Sequence, residues 1–189
     1  MTQDIITVIF IAIALSMDAL AVSLCFGALS KSEKKKVALK AGIFFGGFQA
    51  LMPLIGWILG FYLKDYIEKF DHWIAFLLLG FIGFRMILEA IKRKGCPKGY
   101  DYSSLWVMLT LSFATSIDAL AVGLSIALLN IPILLSIAII GSITFIISYG
   151  GVIMGGKVNR FLGNKVEIIG GIILSLIGFK ILFDHLLFQ

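Results

Sequence analysis

Two aspartates carry most of the chemistry this sequence could perform. Asp18 sits in Leu15 to Leu24, LSMDALAVSL, and Asp118 in Thr115 to Leu124, TSIDALAVGL, so that Ser16, Asp18, Ala19, Leu20, Ala21, Val22 and Leu24 each recur 100 positions later. Each aspartate lies near the middle of a long apolar run, where a charge costs about 2.5–3.5 kcal/mol on insertion scales. A cost borne twice in one sequence frame points to a use for both carboxylates. On a helix, the residues three and four away are Ala14, Leu15, Ala21 and Val22 for Asp18, and Ala114, Thr115, Ala121 and Val122 for Asp118. The alanines would let two helices approach, and no basic residue lies within a turn of either acid. Two bare carboxylates repel each other, and one divalent cation would satisfy both. Hard ions such as Mn2+ or Mg2+ suit carboxylate, carbonyl and water ligands. Gln49, Ser16, Ser116, Thr115 and Thr144 could add neutral oxygens, and Met17 or Met52 a softer sulfur. No cysteine or histidine cluster of the zinc or copper kind is present. The competing readings are protonated aspartates that only tie helices together, and hydroxyls that bond back to their own helices.

These residues must be held by elements that cross a membrane. Of 189 residues, 60% are hydrophobic and 14% charged, with a mean hydropathy of +1.04; soluble domains carry roughly 25% charge. The net charge of +5 sits in short loops beside apolar runs, so it reports topology and not nucleic acid. Cys25 and Cys96 form no CxxC pair and are expected as thiols. The N-terminus lacks the marks of a cleaved signal peptide, so the first apolar run is expected to remain as a spanning helix.

Crossing about 30 Å of hydrocarbon takes about 20 helical residues. Six segments qualify, near 4–29, 38–63, 73–92, 104–129, 132–155 and 165–187. Gly42/Gly46 and Gly56/Gly60 in the second, and Gly151/Gly155 in the fifth, have the four-residue spacing that allows close helix approach in lipid. Pro53 should bend the second segment and release a carbonyl. Pro132 suits a helix start, and the two-residue link Asn130-Ile131 makes segments four and five neighbours. Counting residues at segment edges, the first, third and fifth connections hold 12 of the 16 Lys and Arg, the second holds two and the fourth none. The positive-inside rule then puts those three in the cytoplasm and both termini outside.

A second repeat, offset by 95, places Gly56, Ile58 and Gly60 on Gly151, Ile153 and Gly155, and Ile82-Gly83-Phe84-Arg85 and Glu89 on Ile177-Gly178-Phe179-Lys180 and Asp184. The expected fold is therefore an all-α integral membrane protein of one domain, 1–189. Repeat 1 covers about 4–92 and repeat 2 about 104–187, joined by a basic cytoplasmic linker, 93–103. Three helices per repeat is an odd number, so the repeats are inverted, an arrangement typical of secondary transporters with midplane sites. Arg85 with Glu89, and Lys180 with Asp184, are either intrahelical pairs near a membrane surface or a coupling and gating relay. Glu167, three after Asn164, reads as a helix cap or part of that relay.

The paired SxDALAV motifs, the run FQALMPLIGWILG, HWIAFLLLGFIGFRMILE, and Lys165 to Gly171 together resemble the bacterial manganese efflux pump (MntP) family, within the wider lysine-exporter superfamily. The resemblance spans essentially the whole chain. It implies a multi-pass inner-membrane exporter of Mn2+, with Asp18 and Asp118 as the family's intramembrane acids and Arg85, Glu89 and Glu167 as its other charged positions. Some members carry glutamate where this chain has Gln49, so here that ligand would be neutral. The expected partners are a divalent metal ion as cargo and the lipid bilayer, with no nucleic acid and no cofactor. No GxxxxGK[ST] occurs, which argues for secondary transport, with proton exchange a sensible coupling. The rivals are an exporter of another cationic solute such as a basic amino acid, an intramembrane aspartyl protease, whose GxGD sequence is missing here, and a purely structural subunit.

Overall fold

The computed structural model describes residues 2–29, 33–67, 71–92, 104–129 and 131–155, and within the last apolar segment residues 168, 172, 175–177, 179 and 183. All regular structure among them is helical. The helices are α1 (Thr2–Leu29), α2 (Lys34–Ile67), α3 (Asp71–Lys92), α4 (Leu105–Thr115), α5 (Ile117–Leu128) and α6 (Ile133–Met154). Helix is what apolar solvent demands, because a spanning segment must satisfy its backbone groups internally. Four stretches are long and apolar enough to cross: Ile5–Leu29, Lys34–Tyr62, Leu105–Leu128, which joins α4 and α5, and Ile133–Met154. A shorter apolar helix covers Phe76–Arg85. The chain is a multi-pass membrane protein.

Most boundaries fall within a few residues of the sequence expectation. The largest extension is α2, which begins at Lys34 and runs through Pro53 without ending. Two expectations fail, the first at segment four: read as a continuous helix over 104–129, it is two helices that meet at Ser116. Cys25, expected as a thiol, is disulfide-bonded. The expected sixth span is helical at the few residues described there.

The outside is apolar and the inside holds the polar groups. Trp106, Leu134 and Ile146 are exposed, whereas Ser16, Gln49, Asp118, Thr144 and Ser148 are buried. Three seams dominate the packing, α2–α6, α1–α6 and α2–α5, and glycines set their spacing. Gly151 abuts Leu20 and Ser23, and Gly155 abuts Leu24 and Ala28, so α1 and α6 run parallel. Gly56 lies against the Leu120 carbonyl and Gly60 against Leu124 and Ala127, so α2 and α5 also run parallel. Between α2 and α6 the order reverses: Gly42 faces Phe145, while Gly46 faces Gly141, and Gly141 in turn faces Gly46 and Ala50. Because lipid is as apolar as leucine, such contacts stabilise by van der Waals packing and not by expelling water. Two buried clusters fill the rest, one around Leu15, Met52, Val122 and Ile140, the other around Phe26, Phe45, Ala41 and Val152.

Candidate metal centre

The second copy of the aspartate motif is where segment four breaks. Ser116 has φ −103° and ψ 1° and caps α4, its backbone N–H bonding to the Phe113 carbonyl at 3.1 Å. Its hydroxyl donates to the same carbonyl at 2.9 Å, and Thr115 Oγ1 donates to the Ser112 carbonyl at 3.2 Å. Hydroxyls that bond to backbone three residues back compete with the helical ladder. The chain restarts as α5 at Ile117, which leaves Asp118 in the first turn, where a carboxylate is favoured by the N-terminal partial positive charge. Asp118 Oδ1 accepts the Ala119 N–H at 2.9 Å. Its Oδ2 is buried with no hydrogen-bond partner among the described residues.

The first copy behaves differently. Ser16 Oγ donates to the Ile13 carbonyl at 2.7 Å, the counterpart of the Ser116–Phe113 bond, yet α1 runs unbroken from Thr2 to Leu29. Asp18 is half-buried within it. Its charge acts on Asp118, as does that of Arg85 on α3. The fold thus brings a cation to an acid that has none near it in sequence, a link no helical periodicity would reveal.

Gln49 and Thr144 are the neutral candidates placed most tellingly. Gln49, 1% exposed, donates from Nε2 to the Leu15 carbonyl at 3.0 Å, and its Oε1 has no partner among the described residues. Pro53, four residues on, supplies no N–H to the Gln49 carbonyl, so that carbonyl lacks its usual helical donor. Thr144 is fully buried and its Oγ1 is likewise unpartnered there. Ser16, Thr115 and Ser116 spend their hydroxyl protons on backbone. Met52 lies in the buried apolar cluster, with Met17 packed against it. Arg85 is exposed, the Glu89 side chain is outside the described set, and Glu167, Lys180 and Asp184 lie outside the described residues. Sequence reasoning gave no role to Ser23 or Ser148, both fully buried with hydroxyls unpartnered among the described residues. The signal for Ser148 lay in its helical register with Thr144 and Gly151.

Among the described residues, no three His, Cys, Asp or Glu side chains gather as a metal site. The donors on offer are carboxylate, amide and hydroxyl oxygens, which suit Mg2+, Mn2+ or Ca2+ better than zinc or copper.

Comparison with known proteins agrees with this donor chemistry. A family profile described as "Putative manganese efflux pump" matches residues 31–182. A Clostridium perfringens protein named "Putative manganese efflux pump MntP" is 47% identical, covering 97% of this chain and 96% of its own length. A Clostridium botulinum protein named "Putative manganese efflux pump MntP 2" is 46% identical over the same shares. One from Gloeothece citriformis, also named for manganese efflux, is 45% identical over 99% of both chains. No solved structure matches. Over nearly its full length, then, the chain belongs to the MntP family, a family of metal-efflux transporters and not of enzymes.

Proposed function

We propose that this protein is a secondary exporter of Mn2+ across the cytoplasmic membrane, in which Asp18 and Asp118 bind the ion between two inverted repeats. The observation that carries the reading is the buried, unpartnered Oδ2 of Asp118 under the charge of a second intramembrane carboxylate. A divalent cation answers both features at once, and Gln49 Oε1 and Thr144 Oγ1 are the neutral oxygens best able to complete its shell.

Support for inverted repeats comes from matched contacts. Under the offset of 95, Gly46 and Ala50 correspond to Gly141 and Phe145, and the contacts of Gly46 with Gly141 and Phe145 mirror those of Gly141 with Gly46 and Ala50. Gly56 against Leu120 and Gly151 against Leu20 form a second such pair. Gln49 and Thr144 correspond in the same way. In this arrangement both termini lie outside and the linker 93–103 is cytoplasmic. The broken α4–α5 and the continuous α1 are then two states of one motif, and exchanging them between repeats would expose the site alternately to either side. Protons taken up by the emptied carboxylates would drive the return.

Export of Mn2+ from proteoliposomes tests the reading. Asp118→Asn keeps an oxygen for the Ala119 N–H, so it should fold while losing export, and Asp18→Asn should do the same. Undiminished export by both variants would leave the ion without its ligands and end the proposal. A transmembrane pH gradient should accelerate export; indifference to it would dismiss proton exchange alone.

A further inference from the structure

Eight serine and threonine side chains are buried in the described residues. Five of them, Ser16, Ser112, Ser116, Ser125 and Ser136, donate to a carbonyl three or four residues back, the usual resolution for a hydroxyl in an apolar helix. Ser23, Thr144 and Ser148 do not, and their oxygens have no partner among the described residues. All three are fully buried, where an unmade hydrogen bond costs about 1–3 kcal/mol. They also share one seam. Thr144, Ser148 and Gly151 follow one another on a face of α6, and Gly151 lies against the Cβ of Ser23 on α1.

The parallel packing orders them along the membrane normal. Gly151 is level with Leu20 and Ser23. At about 1.5 Å per residue, Ser148 lies one turn nearer the N-terminal end, near the depth of Asp18. Thr144 lies a further turn that way, near Leu15 and the Gln49 side chain bonded to it. Ser23 is more than a turn beyond Asp18, toward the end of α1 that leads into Lys31–Lys36. The corresponding positions on the α2–α5 seam are Gly123, Pro53 and Gln49. There Gly123 packs directly on the Pro53 backbone, and the seam offers no hydroxyl at those two levels.

We propose that Ser148, level with Asp18, and Ser23, beyond it, line the passage by which a partly hydrated divalent cation moves between the aspartate pair and the face where α1 ends and α2 begins, and that the corresponding positions of the α2–α5 seam, Pro53 and Gly123, provide no equivalent. The proposal rests on the exporter reading and adds to it a route and two positions that select for an ion able to exchange water for hydroxyl oxygen. Unpartnered acceptors at intervals of about one helical turn suit such an exchange, since each step replaces one water ligand by another oxygen.

Reconstituted protein loaded with Mn2+ provides the test, with Ser23→Ala, Ser148→Ala and the double variant set beside Ser125→Ala and Ser136→Ala, whose hydroxyls are already bonded to backbone. Export by the double variant should fall by about an order of magnitude, while Mn2+ affinity measured in detergent stays as in the unaltered protein. Removing an unsatisfied hydroxyl should leave the melting temperature unchanged or raised. Ser148→Thr should retain export. The back-bonded controls should export normally. Normal export by the double variant, an equal loss in the controls, or a loss of export that tracks a fall in melting temperature would each overturn the route. If the serine variants export normally but the aspartate variants do not, the exporter reading survives and the route falls. Unaltered protein that moves no Mn2+ would sink both.

Discussion

Gly56→Ala is the sharpest test of how these helices meet. An added Cβ would press on the Leu120 carbonyl oxygen, and it would also lie 2.8 Å from the carbonyl carbon and 3.1 Å from the Leu124 nitrogen. All of these are backbone atoms, so no side chain can rotate aside and α2 must move off α5. Overpacking of this sort costs about 1–3 kcal/mol. Alanine recovers about 0.5–1 kcal/mol of helix propensity over glycine, so the net destabilisation is about 1–2 kcal/mol. Gly47, on the same helix, has nothing within 4 Å of the corresponding position, and Gly47→Ala should gain the propensity term alone. Gly151→Ala should fall between them, because the Leu20 methyl at 2.8 Å can swing away whereas the Ser23 Cβ at 2.9 Å, fixed to its backbone, cannot. For a chain of this length each kcal/mol shifts the midpoint by about 2–4 °C. Thermal unfolding in detergent, followed by circular dichroism, should therefore place Gly56→Ala about 4 °C below the unaltered protein and Gly47→Ala slightly above it. A Gly56→Ala protein as stable as Gly47→Ala would refute the close backbone contact, and with it the α2–α5 seam as drawn.

Other perturbations follow from the same geometry. Gln49→Glu removes the donor to the Leu15 carbonyl and sets two acceptors face to face, which should cost the metal-free protein about 1–3 kcal/mol; saturating Mn2+ should raise its melting temperature more than that of the unaltered protein, and an equal rise would remove Gln49 from the ion's shell. Glu33 holds φ 51°, a left-handed conformation that costs an L-residue about 1–2 kcal/mol. Its pair with Lys36, at 2.6 Å, is exposed and worth about 0–1 kcal/mol. Glu33→Gly should therefore melt no lower than the unaltered protein, and a clear loss of stability would show that the pair outweighs the strain.

The membrane-spanning character and most helix limits were legible because lipid leaves a chain few options. An apolar run long enough to cross must satisfy its backbone within itself, so Thr2–Leu29 and Ile133–Met154 follow from composition and length. The repeat of SxDALAV was legible for the same reason it is informative: two carboxylates in equivalent apolar settings are too costly to be incidental. The ends of α2 were less legible, since Lys34–Lys36 and Lys64–Asp65 are hydrophilic residues that helices nonetheless accept once outside hydrocarbon.

What the two copies then do was decided partly by packing. Their local sequences are nearly the same, and Ser16 and Ser116 make the same bond three residues back, yet one helix continues and the other breaks. Thr115 adds a second back-bond where the first copy has Leu15, and from the neighbouring helices Gln49 reaches the Leu15 carbonyl while its counterpart Thr144 makes no side-chain hydrogen bond among the described residues. Arg85 comes within electrostatic range of Asp118 only because α3 packs beside α5. Sequence determined that the chain crosses the membrane and carries two equivalent buried acids, because solvation energy depends on residue type and run length alone. Tertiary structure decided which acceptors stay unpaired, because a hydrogen bond between helices exists only when a neighbouring helix brings its partner within reach.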